Sequence, residues 1–388
     1  EIYTLSLHDA LPIYGHEGMT EMAMMERALA LAVKGCGWTS PNPMVGAVIV
    51  KDGRIIGEGY HERYGELHAE RNALRACTES PEGATMFVTL EPCSHHGKQP
   101  PCVDAIIEAK IAKVVIGSRD PNPLVSGRGV RILREHGIEV VEDVMREECD
   151  RTNEVFMHYI THKTPFVVLK TAMTLDGKIA CHTGASRWVT GEAARQETQA
   201  LRHRYASIMV GVGTVLVDNP RLTCRLEGGK HPLRVICDSH LRTPLDAIVV
   251  QTAREVPTVI ATACADVEKH RPYEEAGCRV VAVAGKDGRV DLEQLMVWLG
   301  SENIDSVLLE GGGTLNWAAL EAGIVHKVVS YVAPKLFGGK DAKTPVEGLG
   351  VADPKDAVEL HIQNIRRVGE DICIEGEVVG CSQALLKK

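Results

Sequence analysis

Met86-Phe87-Val88-Thr89-Leu90-Glu91-Pro92-Cys93-Ser94-His95-His96-Gly97-Lys98-Gln99-Pro100-Pro101-Cys102 runs from a β-rich segment into a loop bounded by two cysteines. Upstream, His68-Ala69-Glu70 opens a stretch whose apolar residues Ala73, Leu74 and Cys77 recur at helical spacing. One imidazole and two thiolates suit tetrahedral zinc and leave its fourth position open, as in a catalytic rather than a closed structural site. His68, Cys93 and Cys102 are therefore the candidate ligands. Glu70, two residues beyond His68 at a helix start, can enter the same pocket without binding the metal and is free to move protons. His95 and His96 share the loop and read as contacts around metal or substrate rather than as ligands.

Outward from this stretch the pattern is α/β. Met22, Met25, Ala28, Leu29 and Ala32 mark one face of a helix, and Lys51-Asp52-Gly53-Arg54 is a hairpin signal between strands over 45–50 and 55–59. Strands over 85–90, 113–117 and 139–141 alternate with helices over 102–109 and 130–136, which predicts a largely parallel sheet. The polar run Thr161-His162-Lys163-Thr164-Pro165 reads as a boundary. A second alternating series follows, with strands near 166–169, 207–210, 233–237, 258–261, 279–282, 306–309, 327–333 and 371–377, and helices near 192–203 and 291–299.

At 388 residues the chain has room for two domains with separate cores. A formal charge of −9 argues against a partner bound through a nucleic-acid backbone, which needs a basic surface. The twelve cysteines are scattered rather than regularly spaced, as expected of reduced thiols in a cytoplasmic protein. No apolar run approaches the roughly 18–20 residues of a membrane span, so no membrane partner is expected; self-association into a homo-oligomer is left open. Residues 1–13 match the translation of one frame of a common sequencing-adapter oligonucleotide without mismatch, so they are expected to be an assembly artefact, with Met19 as the expected start and Met22, Met24 and Met25 as alternatives.

In the second half, Gly311-Gly312-Gly313-Thr314 follows a strand, where backbone N–H groups can approach a phosphate, and is a candidate cofactor cradle. A plain strand-to-helix turn is the alternative. The GxGxxG fingerprint is missing, which disfavours a Rossmann dehydrogenase.

A histidine, any residue and a glutamate, followed later by proline-cysteine, is the pattern of zinc nucleobase deaminases, which place two residues between their cysteines. Here eight intervene, Ser94 through Pro101. That displaced cysteine resembles the deaminase half of the bifunctional riboflavin-biosynthesis deaminase/reductase family. Ser40-Pro41-Asn42-Pro43-Met44-Val45-Gly46, Asp120-Pro121-Asn122-Pro123 and Ser186-Arg187-Trp188 extend the resemblance in the family's order.

The resemblance implies a cytidine-deaminase-like N-terminal domain over 19–163 and a dihydrofolate-reductase-like C-terminal domain over 164–380, using zinc and NADPH respectively on small phosphorylated pyrimidines. It implies that Asn42 and His61 hold the pyrimidine and that Lys98, Asp120 and Asn122 surround the ribose phosphate. In the second domain it implies Lys170 and Glu310 beside the reacting sugar, Ser186, Arg202 and Arg225 on substrate, and Trp188, Thr214, Asp218, Leu222 and Ser239 on the cofactor. Two rivals are weaker. The same zinc chemistry on guanine or a tRNA adenosine leaves the second domain unexplained, and a non-enzymatic zinc-stabilised module has no need of a free Glu70.

Overall fold

The computed structural model describes residues 20–95, 100–123 and 125–380. The adapter-like segment 1–13, Met19, His96 and Lys98 lie outside the described residues. The chain divides into two compact units between His162 and Lys163.

The first unit holds strands β1 (Gly46–Lys51), β2 (Arg54–Tyr60), β3 (Thr85–Leu90), β4 (Lys113–Ser118) and β5 (Glu139–Val141) in the order β2-β1-β3-β4-β5. The expected hairpin is present: Lys51 pairs with Arg54, and Asp52 and Gly53 both take positive φ (48° and 71°), as a two-residue primed turn requires. β1 is antiparallel to both neighbours, whereas β3, β4 and β5 are parallel. The sheet is therefore mixed rather than largely parallel, because the hairpin reverses the chain before the crossover helices begin.

Alternation in the strands explains the layers. Ala47, Ile49, Met86, Val88, Val114 and Ile116 pack on one face with helices Ala69–Arg75, Cys102–Glu108 and Arg128–Glu135. Val48, Phe87 and Val115 pack on the other against Met24, Met25, Ala28 and Leu29 of helix Glu21–Ala32. That helix lies close on β1: a Cβ on Gly46 would stand 1.8 Å from the Ala28 carbonyl oxygen. Gly46→Ala is expected to destabilise this unit by about 1–3 kcal/mol, measured as a lower urea midpoint of its unfolding transition.

The second unit contains β6 (Phe166–Thr174), β7 (Ser207–Gly211), β8 (Leu233–Cys237), β9 (Thr258–Thr262), β10 (Arg279–Ala282), β11 (Ser306–Leu309), β12 (Lys327–Ala333), β13 (Leu360–Val368) and β14 (Asp371–Val378). Their order is β10-β9-β8-β7-β11-β6-β12-β14-β13, parallel from β10 to β12 and antiparallel beyond. Val167, Leu169, Met209, Val307 and Leu309 face Leu295, Met296 and Leu299 of helix Leu292–Ser301. Ile208, Val210, Ile236 and Ile260 face Val215, Val249 and Tyr273 on the opposite side.

The strand expected over 166–169 continues to Thr174, so Lys170 stands in its middle rather than just past its end. The extension is held by β12, whose Val329–Ala333 pair with Lys170–Thr174. Among the described residues, no helix is long and apolar enough to cross a membrane.

Candidate active sites

Three element ends build the first site. His68 is the N-cap of helix Ala69–Arg75, Cys93 follows β3, and Cys102 is the first residue of helix Cys102–Glu108. Their ligand atoms all lie within 4.8 Å of one another. His68 Nδ1 is 3.6 Å from Cys93 Sγ and 3.4 Å from Cys102 Sγ. A tetrahedral zinc centre with bonds of about 2.3 Å to sulfur and about 2.05 Å to nitrogen separates nitrogen from sulfur by about 3.6 Å, so the three residues fit that ion.

The hydrogen bond from Cys102, opposed by burial and helped by His68, pushes Cys93 down to about 4, while its thiolate neighbour and burial push Cys102 up. With zinc held by His68, Cys93 and Cys102, both sulfurs would ionise. The Cys102 backbone N–H donates to Cys93 Sγ at 3.2 Å, steadying that thiolate.

Glu70 occupies the second position of the same helix and is 3% exposed. Its carboxyl shares a hydrogen bond with Cys102, and burial, followed by the Cys93 charge, raises its pKa above the ordinary carboxylate value. The sequence spacing thus brings the expected proton carrier to the ligand set. Arg71, which the sequence reading did not single out, donates through Nη2 to the Pro100 and Pro101 carbonyls at 3.1 and 3.0 Å and so fixes the chain entering Cys102.

Asn42 and His61 adjoin this set. His61 Nδ1 lies 3.0 Å from the Leu67 carbonyl, to which it donates. Its Nε2 then accepts from Asn42 Nδ2 at 3.1 Å, leaving Asn42 Oδ1 as an acceptor. Burial lowers the His61 pKa, consistent with this neutral tautomer, and its ring stands edge-on to His68 at 5.4 Å. Asp120 and Asn122 occupy the loop after β4; burial is the main cause that raises the Asp120 pKa.

In the second unit, parallel register assembles a separate constellation. Leu309 of β11 pairs with Leu169 of β6, which sets Glu310 beside Lys170. Lys170 Nζ is 3.6 Å from Glu310 Oε1, and Arg202 donates to Glu310 Oε2 from Nε at 3.1 Å and Nη2 at 2.7 Å. Burial pushes the Glu310 carboxyl up, but the Arg202 and Lys170 charges outweigh it and hold the pKa below the ordinary value; burial lowers that of Lys170. Arg202 also donates to the Thr223 carbonyl, so its guanidinium is committed to the protein on two sides. Arg225 is exposed, with its backbone N–H held by Gln199 Oε1 at 2.9 Å.

The remaining candidates surround the carboxyl ends of the parallel strands, where open α/β sheets bind ligands. Gly312 precedes helix Gly313–Glu321, and no atom lies within 4 Å of a Cβ built on it. Gly311 and Gly313 have internal reasons to be glycine, since added Cβ atoms would meet Asn316 Oδ1 at 2.9 Å and the Thr344 carbonyl at 2.7 Å. The buried Asn316 Oδ1 has no hydrogen-bond partner there. Open space at Gly312 and a helix N-terminus without a side-chain cap fit a phosphate-bearing cofactor.

Thr214 and Asp218 lie on helix Val212–Asp218 and Ser186 on the loop after β6, with Thr314 exposed at the start of its helix. Trp188 is 58% exposed with the Arg195 guanidinium 4.5 Å from its ring centre. Leu222 is 3% exposed and packs among Ile208, Val210 and Val215, so a ligand can meet little beyond its backbone. Ser239 Oγ accepts from the Val290 N–H at 3.1 Å.

Residues 165–374 match the RibD C-terminal domain, and residues 19–118 match the cytidine and deoxycytidylate deaminase zinc-binding region. The riboflavin biosynthesis protein RibD of Actinobacillus pleuropneumoniae is 53% identical over 369 residues, covering 95% of this chain and 98% of the relative. The RibD protein of Escherichia coli K12 is 41% identical over 92% of this chain and 99% of its own length.

A crystal structure of a diaminohydroxyphosphoribosylaminopyrimidine deaminase/5-amino-6-(5-phosphoribosylamino)uracil reductase from Thermotoga maritima superposes with a TM-score of 0.83 at 40% identity, covering 92% of this chain and 98% of that one. Likeness of this degree over nearly the whole chain, joined to a His-Cys-Cys set that can hold a metal ion in one unit and a buried ion-pair cluster in the other, places the chain in the RibD family of bifunctional riboflavin-biosynthesis enzymes, zinc-dependent deaminase and NADPH-dependent reductase in one polypeptide.

Proposed function

We propose that residues 19–163 deaminate 2,5-diamino-6-ribosylamino-4(3H)-pyrimidinone 5′-phosphate and that residues 164–380 then reduce its ribosyl group to ribityl. The observation that carries this reading is the presence in one chain of the His68–Cys93–Cys102 set with Glu70 and of the Lys170–Glu310–Arg202 cluster. The first product is the second substrate.

In the deaminase half, zinc supplies the Lewis acidity that makes water a nucleophile near neutral pH. Glu70 takes a proton from the attacking water and passes it to the exocyclic nitrogen, which departs as ammonia as the ring carbon gains oxygen. Asn42 Oδ1, oriented by His61, accepts from the pyrimidine, and Lys98, Asp120 and Asn122 hold the ribose phosphate. In the reductase half, NADPH supplies the hydride delivered to C1′. Opening the C1′–O4′ bond requires a proton on O4′, and Lys170 is the buried donor. Glu310 orients it, and Arg202 keeps Glu310 ionised.

Arg225 and Ser186 contact substrate, while Trp188, Thr214, Asp218, the Leu222 backbone, Ser239 and residues 311–314 line the cofactor. The commitment of the Arg202 guanidinium to Glu310 and Thr223 favours Arg225 as the bidentate phosphate ligand of the pair.

Purified enzyme given the diaminopyrimidinone phosphate is expected to release ammonia without NADPH and to consume NADPH only after deamination. Oxidation of NADPH with no ammonia, or deamination of guanine instead, overturns the reading.

A further inference from the structure

We infer that Glu91 is a positioning residue of the deaminase half, whose carboxylate seats the loop carrying Asp120 and Asn122 beside Cys93. The inference rests on the reading of Asp120 and Asn122 as substrate contacts and deepens it.

Glu91 follows β3 directly, two residues before Cys93, and is 5% exposed. Its side chain faces the start of helix Arg128–Glu135, which needs an outside partner. The N-cap there is Gly127, left-handed at φ 74° and without a side chain to satisfy the first N–H groups. Glu91 meets that need from another element. Oε1 accepts from the Gly129 N–H at 3.0 Å and the Val130 N–H at 3.4 Å, and Oε2 from the Gly127 N–H at 3.0 Å and the Asp120 N–H at 3.2 Å.

The same carboxylate therefore grips both ends of the loop from Asp120 to Gly127. Within it, the Asn122 N–H donates to Asp120 Oδ1 at 2.9 Å, so the two candidate substrate residues are coupled. Contact with the ligand strand is close. A Cβ on Gly129 would stand 2.4 Å from the Pro92 carbonyl oxygen, the residue adjoining Cys93. One short path, Cys93-Pro92-Glu91 to Asp120 and Asn122, thus fixes the metal set against the substrate loop.

All four of these bonds come from backbone amides, so the position needs two acceptor oxygens rather than a charge alone. Glutamine supplies one acceptor and turns an amide donor toward N–H groups. Glu91→Gln therefore loosens the loop with little change in volume. Gly129→Ala keeps the carboxylate's two oxygens but pushes the helix start off the same junction, its Cβ meeting the Pro92 carbonyl oxygen at 2.4 Å and Glu91 Oε1 at 3.2 Å.

The test is steady-state deamination by the full-length, zinc-loaded enzyme with the diaminopyrimidinone phosphate, alongside zinc content and reductase rate. Glu91→Gln and Gly129→Ala are each expected to raise the deaminase KM by about tenfold or more. Deaminase kcat should stay within about threefold, with zinc and the reductase rate unchanged. Adding Asp120→Asn and Asn122→Ala to Glu91→Gln should raise KM little further, because the displaced loop has already lost its contacts.

If Glu91→Gln loses zinc or the fold of its unit, Gly129→Ala decides, and an unchanged KM there overturns the inference. A fall in kcat at unchanged KM in the zinc-loaded variants also overturns it, as does full additivity with the loop substitutions. Asp120→Asn and Asn122→Ala alone separate the two levels. If they leave KM unmoved, the substrate reading of the loop fails and the inference with it; if they raise KM while Glu91→Gln and Gly129→Ala do not, the inference alone fails.

Discussion

Glu70→Gln is expected to cut deamination by about 10²–10⁴-fold while reduction of supplied aminouracil phosphate continues at the wild-type rate. The carboxyl lies beside the ligand set, where burial raises its pKa, and a glutamine of the same shape cannot carry the proton from water to the leaving nitrogen. His68, Cys93 and Cys102 are untouched, so zinc content should not change. Two assays on one preparation give the answer: ammonia release and nicotinamide absorbance. Equal loss of both activities contradicts separate sites.

Glu310→Gln should give the opposite pattern, with reductase kcat lowered by about 10²–10⁴-fold and ammonia release intact. Its carboxylate lies between Lys170 and Arg202, and all three side chains are largely buried. Neutralising it strands two cations away from water, a loss of roughly 3–5 kcal/mol in comparable buried pairs. The folded-state carboxyl has a pKa below its ordinary value, so its contribution to stability is full above that ordinary value and disappears as pH falls through the depressed one. The wild-type reductase unit should accordingly lose stability in acid, and Glu310→Gln should flatten that acid limb of a denaturation-versus-pH profile.

The convergence of His68, Cys93 and Cys102 was legible in the sequence because the pattern is local: a histidine and a glutamate two apart at a helix start, then cysteines around a strand-end loop. The hairpin was equally plain, since Asp52-Gly53 supplies two residues that tolerate positive φ. What escaped depends on packing between distant segments. Lys170 and Glu310 were brought together only by the family resemblance, because their pairing follows from the parallel register of β6 and β11, to which no local spacing points.

The glycine run shows the same limit. Gly313 faces the Thr344–Glu347 segment and only Gly312 opens to solvent, a distinction invisible in the triplet itself. β13 was missed because it is an edge strand, with exposed Ile362 and Ile365 and no buried alternation. Helix Val267–Ala276 was missed because Pro272 interrupts its pattern and only His270 and Tyr273 of its residues are buried. Glu91 stood inside the motif that was read, but its role depends on a helix start almost forty residues later, whose glycine cap is recognisable only in three dimensions.

X-ray absorption at the zinc edge tests the central claim most directly. One zinc per chain is expected, with two sulfurs at about 2.3 Å, one imidazole nitrogen at about 2.0–2.1 Å and one light non-protein ligand. Cys93→Ser should remove one sulfur from that shell. A coordination sphere filled by four protein donors, with a second histidine in the open position, would contradict the account.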